Sequence, residues 1–229
     1  MIVSHEHELI FVKTRKTAGT SIEVLLAKML EDGAIVTPID PPAEGHVPRN
    51  YGPPALSPLS LPSWRALVSR HRLSNGLWFY NHMPARVARA RIGRSVWNRY
   101  FKFCFERNPW DKTLSWYYFL TRNAPERIEF PKFVQTRTLP VDWGLYTIRD
   151  DLAVDYVGRF EKLGADLREV LRRVGLPSEV EVPFEKAGLR PRDARVEVVY
   201  DAESSRVVRE AFSREIEAFG FAEPSIPDS

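Results

Sequence analysis

One turn constrains the fold of this chain more than any other feature. Leu9-Ile10-Phe11-Val12 is a short apolar run, followed at once by Lys13-Thr14-Arg15-Lys16-Thr17-Ala18-Gly19-Thr20-Ser21. Ile, Phe and Val favour extended backbone, and a continuous apolar run of this length suits a buried strand of a parallel sheet. Beyond the turn, Ile22, Leu25, Leu26, Met29 and Leu30 recur with the spacing of one helical face, and Gly33 is placed to end that helix. The first turn of such a helix offers unpaired N–H groups and the positive end of its dipole, which together bind phosphate-like anions. The order of residues is not that of a Walker A loop, GxxxxGK[ST], because Lys16 precedes Gly19. That disfavours Mg-assisted transfer of a γ-phosphate, although the hydroxyls of Thr20 and Ser21 remain in reach of an anion. The other reading of the segment is an ordinary capped strand-to-helix turn.

A second strand-to-helix junction follows later. Residues 100–106 read as a strand, with Cys104 inside it as a buried, inert thiol. Asn108 suits a helix N-cap, Pro109 the first helical position and Asp111 the third, in a helix running to about Arg122. Arg107 then stands at the carboxyl end of a strand, where open α/β sheets bind ligands, and Ser115 lies about two turns into the helix. An arginine there grips a phosphate through two parallel bonds, and a serine hydroxyl adds another. Taken alone, Arg107 reads equally as one half of a surface ion pair.

The two junctions together carry a resemblance. Lys16-Thr17-Ala18-Gly19-Thr20-Ser21 resembles the 5′-phosphosulfate loop of the sulfotransferase family, and more narrowly of its carbohydrate O-sulfotransferase branch. Phe103-x-Phe105-x-Arg107-Asn108-Pro109-Trp110-Asp111 with Ser115 resembles that family's 3′-phosphate segment. Val154 to Leu163 is similar to its later strand-helix junction, and the resemblance runs intermittently from about Leu9 to Phe221. It implies a P-loop-like, three-layer α/β fold with a central, mainly parallel sheet flanked by helices. It also implies 3′-phosphoadenosine 5′-phosphosulfate as donor and a small-molecule or glycan hydroxyl as acceptor. By resemblance, Lys16 binds the phosphosulfate and stabilises charge on the leaving oxygen. Thr17, Ala18, Gly19, Thr20 and Ser21 cradle the same group, and Arg107 and Ser115 hold the 3′-phosphate. No metal is required, and the sequence shows no HExxH, CxxC or carboxylate cluster.

Asn81-His82-Met83-Pro84 resembles the histidine segment upstream of the 3′-phosphate motif in carbohydrate sulfotransferases, which makes His82 the candidate base for the acceptor hydroxyl. Its other reading is a histidine that caps a turn. Arg15 occupies a place where many relatives carry proline; it shapes the turn or pairs with a carboxylate, and no role is assigned to it. Two other functions remain open: a non-catalytic nucleotide-binding protein that kept the donor pocket, and an ATP-dependent P-loop kinase.

Composition sets outer limits. A chain of 229 residues suits one large domain or two small ones, of which one domain over 1–229 is expected, and one cysteine leaves no intrachain disulfide. A net charge of +3 gives little support to a dedicated nucleic-acid binder. Arg86, Arg89, Arg91, Arg94 and Arg99 follow one another with no acid between them. They read as a solvated basic face or as an attractor of anionic ligands. Eight of the 18 prolines fall between Pro38 and Pro62, so a loop insertion is expected at about 38–76, either as a surface excursion or as a wall of the acceptor site. The opening residues lack the pattern of a signal peptide and no apolar run is long enough to span a membrane, so a cytoplasmic protein is expected.

The C-terminal third supplies a strand over 155–160, a helical stripe from Leu163 to Val174, and a loop with Lys186, Arg190 and Arg192. Relatives place basic residues in such a loop near the nucleotide. A last helix is expected from Ala202 to about Ala218, capped by Asp201, with Ala211 and Phe212 facing inward. Aromatics in the stretch 125–151, including Phe130, Trp143 and Tyr146, read as core or as a stacking surface.

Overall fold

A computed structural model of the chain describes residues 1–53, 78–180, 190–191 and 194–226. Most of the expected insertion lies outside the described residues, as do Lys186 and Arg192.

The chain opens with a hairpin, strands β1 (Ile2–Ser4) and β2 (Leu9–Phe11), with Ile2 opposite Phe11 and Ser4 opposite Leu9. Helix α1 (Gly19–Met29) follows, and strand β3 (Ile35–Val36) returns antiparallel to β1. Arg49, from the proline-rich stretch, donates to the carbonyls of Ala27, Leu30 and Glu31, satisfying acceptors that the end of α1 leaves open. Helices α2 (Ala85–Ile92) and α3 (Arg94–Arg99) lead into strand β4 (Phe101–Glu106) and helix α4 (Pro109–Leu120). Helices α5 (Phe130–Thr136) and α6 (Trp143–Tyr146) precede a small hairpin, β5 (Thr147–Ile148) with β6 (Asp151–Leu152). Strand β7 (Tyr156–Arg159) feeds helix α7 (Leu163–Arg173), and α8 (Val196–Val199), α9 (Ala202–Ala211) and α10 (Ser213–Phe219) complete the fold.

The main sheet has the order β3-β1-β2-β4-β7. Strands β2, β4 and β7 are parallel, and the β1 pairings on either side are antiparallel. The sheet is therefore mixed but mainly parallel in direction: β1 alone runs against the other four strands, and its three residues, 2–4, are a strand that the sequence pattern does not announce. Alternation along the strands sends side chains to opposite faces. Leu9, Phe11, Phe103 and Phe105 pack with Ile22 and Leu26 of α1 and with Leu163, Leu167 and Leu171 of α7. Ile10, Val12 and Cys104 pack on the other face with Ala85 and Ala88 of α2, Trp97 of α3 and Tyr146 of α6. Helix, sheet and helix thus form the three expected layers. Gly158 of β7 lies flat against Phe105, whose Cδ1 would be only 2.8 Å from a Cβ at that position.

Burial pushes the Cys104 thiol well above its ordinary value, so it packs as an inert group. Phe130 and Tyr146 are buried in the core, and Trp143 packs against it. The single C-terminal helix of the sequence reading is divided at Phe212 into α9 and α10. Hydrogen bonds continue across the break, from Phe212 N–H to Val208 O and from Ile216 N–H to Phe212 O. The irregularity keeps Phe212 in the cluster around Trp110 while Phe219 reaches the cluster beneath the sheet, and it leaves Ala211 exposed rather than inward. Asp201 caps α9 through a reciprocal bond pair with Ser204. No helix among the described residues is long and apolar enough to cross a membrane.

Candidate functional site

The carboxyl ends of β2, β4 and β7 open on one cavity of about 460 Å³, within the range of small-molecule sites. Its floor is the turn between β2 and α1. Lys16 and Ala18 both adopt left-handed backbone, with φ of 59° and 60°, which costs a non-glycine residue about 1–2 kcal/mol each. Alternation of left-handed with other conformations curls backbone N–H groups toward one concavity, the geometry of an anion nest. Ala18 stands at the N-cap of α1 without a side-chain cap, so the helix end is left to the turn and to whatever enters the cavity.

Neighbours hold this turn from three sides. Asp142 accepts from the backbone N–H of Arg15 at 2.5 Å and from its guanidinium. Thr14 and Thr17 share a hydroxyl bond of 2.8 Å, and Thr14 also donates to Phe105 O. Arg107 donates through Nη1 to the carbonyl of Lys16 at 3.0 Å. Lys13 lies along the inside of the turn, with Nζ 2.5 Å from buried Glu23. A Cβ at Gly19 would stand 2.7 Å from its Cγ, so Gly19 leaves room for the lysine stem. Lys13 is committed to Glu23, whereas the Nζ of Lys16 sits 4.4 Å from the ring centre of Phe119 on the cavity wall.

At the end of β4, Asn108 caps α4 by accepting from Trp110 N–H at 3.1 Å. Arg107 packs flat on Phe160, 3.9 Å from its ring centre, and donates through Nε to Asp111 at 2.5 Å. Arg190 pairs with the other oxygen of Asp111. Two guanidiniums thus share one carboxylate and leave a surplus positive charge on this side of the cavity. Burial lowers the Arg107 pKa while Asp111 opposes it; burial likewise opposes, without cancelling, the drop that Arg107 and Arg190 impose on Asp111. Ser115 lines the same wall, directly before Trp116 and one turn before Phe119, and the rings of those two stack at 5.6 Å.

His82 closes the cavity on the side of β2. Its Nδ1 lies 3.1 Å from the carbonyl of Lys13, an atom that only accepts. Nδ1 therefore carries the proton, and Nε2 is left with a free lone pair. Burial, reinforced by Lys13 and opposed by Asp142, lowers its pKa to about 4, so the ring is neutral at pH 7. Beside it, the buried Oδ1 of Asn81 has no hydrogen-bond partner among the described residues and is open to a donor from a ligand.

The Sulfotransferase family model matches residues 1–222. The chain belongs to the sulfotransferase family. An uncharacterized protein of Archaeoglobus fulgidus is 34% identical over 111 residues, which are 46% of this chain and 92% of that protein. No solved structure matches.

In this sulfotransferase-family chain, Lys16, Ala18, Gly19, Thr20, Ser21, His82, Arg107 and Ser115 all line the one cavity. The Thr17 side chain instead points inward to Thr14, where it braces the turn. Arg15 pairs with a carboxylate, Asp142. Arg190 is brought to the wall. The arginine run is not: Arg91 stacks on Trp78 and Tyr80, Arg99 pairs with Glu8, and Arg89 and Arg94 line a separate cleft near the start of β7. Asn81, Asp142, Phe119 and Phe160 were not singled out from sequence. Phe160 lies within the Val154–Leu163 segment and Asn81 adjoins His82, so these two had a local signal; Asp142 had none. Among the described residues no group of three or more His, Cys, Asp or Glu is arranged to hold a metal ion.

Proposed function

We propose that the chain transfers a sulfuryl group from 3′-phosphoadenosine 5′-phosphosulfate to a hydroxyl of a carbohydrate-like small molecule or glycan. One observation carries this reading: the Lys16 turn and Arg107 face a common cavity and are joined directly by the Arg107–Lys16 hydrogen bond. A donor with anionic groups at both ends needs two cationic sites at a set separation, and that bond sets it. The residues present fit such a donor: a helix start without a side-chain cap at one end, and the surplus charge of Arg107 and Arg190 at the other.

The roles proposed here are those the resemblance implies, and the positions of the residues around the cavity support them. Lys16 and the N–H groups of the turn hold the 5′ end, and Lys16 stabilises the charge that develops on the phosphate oxygen as its bond to sulfur breaks. Arg107 and Ser115 hold the 3′-phosphate. His82 accepts the acceptor's hydroxyl proton at Nε2 while the new oxygen–sulfur bond forms. Trp116 and Phe119 give the cavity an aromatic wall suited to the apolar face of a ring-shaped acceptor. Transfer of radiolabelled sulfate across glycans, phenols and lipids tests the reaction and identifies the acceptor. Lys16→Ala is expected to cut turnover by about 10²- to 10³-fold in a folded protein; unchanged turnover removes Lys16 from its role.

A further inference from the structure

We propose that Lys112 is a positioning residue that holds the two anion-binding segments in register from beneath. The proposal rests on the donor reading above. Lys112 lies on the inner side of α4 and is fully buried. Its Nζ is 2.9 Å from Glu106 Oε2 and 3.0 Å from Asp142 Oδ2. Each carboxylate then reaches a backbone N–H at the rim of the cavity. Asp142 takes that of Arg15, the residue before Lys16, at 2.5 Å, and Glu106 takes that of Arg107 at 3.1 Å. A continuous line of contacts therefore runs from the root of the phosphosulfate turn to the 3′-phosphate arginine, with one ammonium at its centre.

The electrostatics suit a fixed spacer. Positive and negative groups alternate through Arg15, Asp142, Lys112 and Glu106, and the centre of the network is buried; burial, opposed by Lys112 and reinforced by Asp142, raises the Glu106 pKa to about 7, so its hold on Lys112 and on the Arg107 N–H is that of a hydrogen-bonded carboxyl as much as of a full charge. Burial lowers the Lys112 pKa, but Asp142 and Glu106 outweigh it and raise it above the ordinary lysine value. Buried ion networks contribute little net stability compared with apolar packing of the same volume. What apolar packing cannot provide is the directional hold on two backbone N–H groups, at positions 15 and 107. A conventional core lysine would need one carboxylate; Lys112 uses two, and they diverge to the two halves of the site.

Calorimetric titration of the full chain with adenosine 3′,5′-bisphosphate, adenosine 5′-phosphate and adenosine 3′-phosphate tests this end by end. Each variant is compared at a temperature where its circular dichroism matches the wild type. Loss of a charge-assisted hold is expected to weaken binding on the order of tenfold. Asp142→Asn should weaken the 5′-phosphate and spare the 3′-phosphate, and Glu106→Gln should do the reverse. Lys112→Met should weaken both, and Lys112→Arg should recover part of the loss. If Lys112→Met does not fold, the two carboxylate variants decide. Wild-type affinities in folded variants, or equal losses at both ends from either carboxylate variant, overturn the spacer. Failure of the wild type to bind the bisphosphate overturns the donor reading itself.

Discussion

His82 combines a neutral ring with a defined tautomer, because the Lys13 carbonyl takes the Nδ1 proton and burial, with Lys13, keeps the pKa at about 4. A base of this kind is active only above its pKa. The acid limb of kcat/KM, which reports the free enzyme, is therefore expected near pH 4 rather than near 6.5. A limb at 6.5 that persists in His82→Gln would assign it to another group. His82→Ala should lower kcat by about 10²-fold or more while donor affinity is kept; steady-state rates against acceptor and calorimetry with donor product separate the two. Lys16 and Arg107 were legible because each sits in a short motif beyond a strand end, and His82 because it stands in a short motif just ahead of α2. Asp142 was not, since its bond to Arg15 spans 127 residues of sequence and no local pattern marks it. Thr17 shows the converse: its place within the motif was clear, but only the fold shows its hydroxyl turned to Thr14.

Each main strand-to-helix junction depends on one or two residues. Asn108→Ala removes the acceptor for Trp110 N–H at the start of α4, and should cost about 1 kcal/mol. Gly158→Ala forces a methyl against the buried Phe105 ring and should cost about 1–3 kcal/mol. Thermal melts monitored by circular dichroism measure both, and Gly158→Ala should lower Tm more than Asn108→Ala. Apolar pattern showed β2, α1, β4 and α7, and the capping residues Asn108, Pro109 and Asp111 showed α4. The pattern did not show β1, whose three residues are too few to display alternation, nor the break at Phe212, where packing rather than local preference divides the helix. The antiparallel half of the sheet follows from that missed strand. It lies on the far side of β2 from β4 and β7, so the site at the parallel strand ends is unaffected.

Across the molecule, two apolar faces of one sheet fix the layers, and the layers bring segments near residues 16, 82, 107 and 190 to a single cavity. The arginine-rich composition contributes unequally. Arg107 and Arg190 gather at the site, while the run from Arg86 to Arg99 lies on helices and a cleft elsewhere. The small net charge thus conceals a local concentration that matters more than the total. The proposed donor is a nucleotide carrying anions at both ends, matched by Lys16 and Arg107 across this cavity. Competitive calorimetry of adenosine 3′,5′-bisphosphate against ATP with Mg²⁺, repeated in Arg107→Ala, tests it most directly. Clear preference for the bisphosphate is expected in the wild type, and loss of that preference in the variant. Tighter binding of ATP, or a bisphosphate affinity indifferent to Arg107, would contradict it.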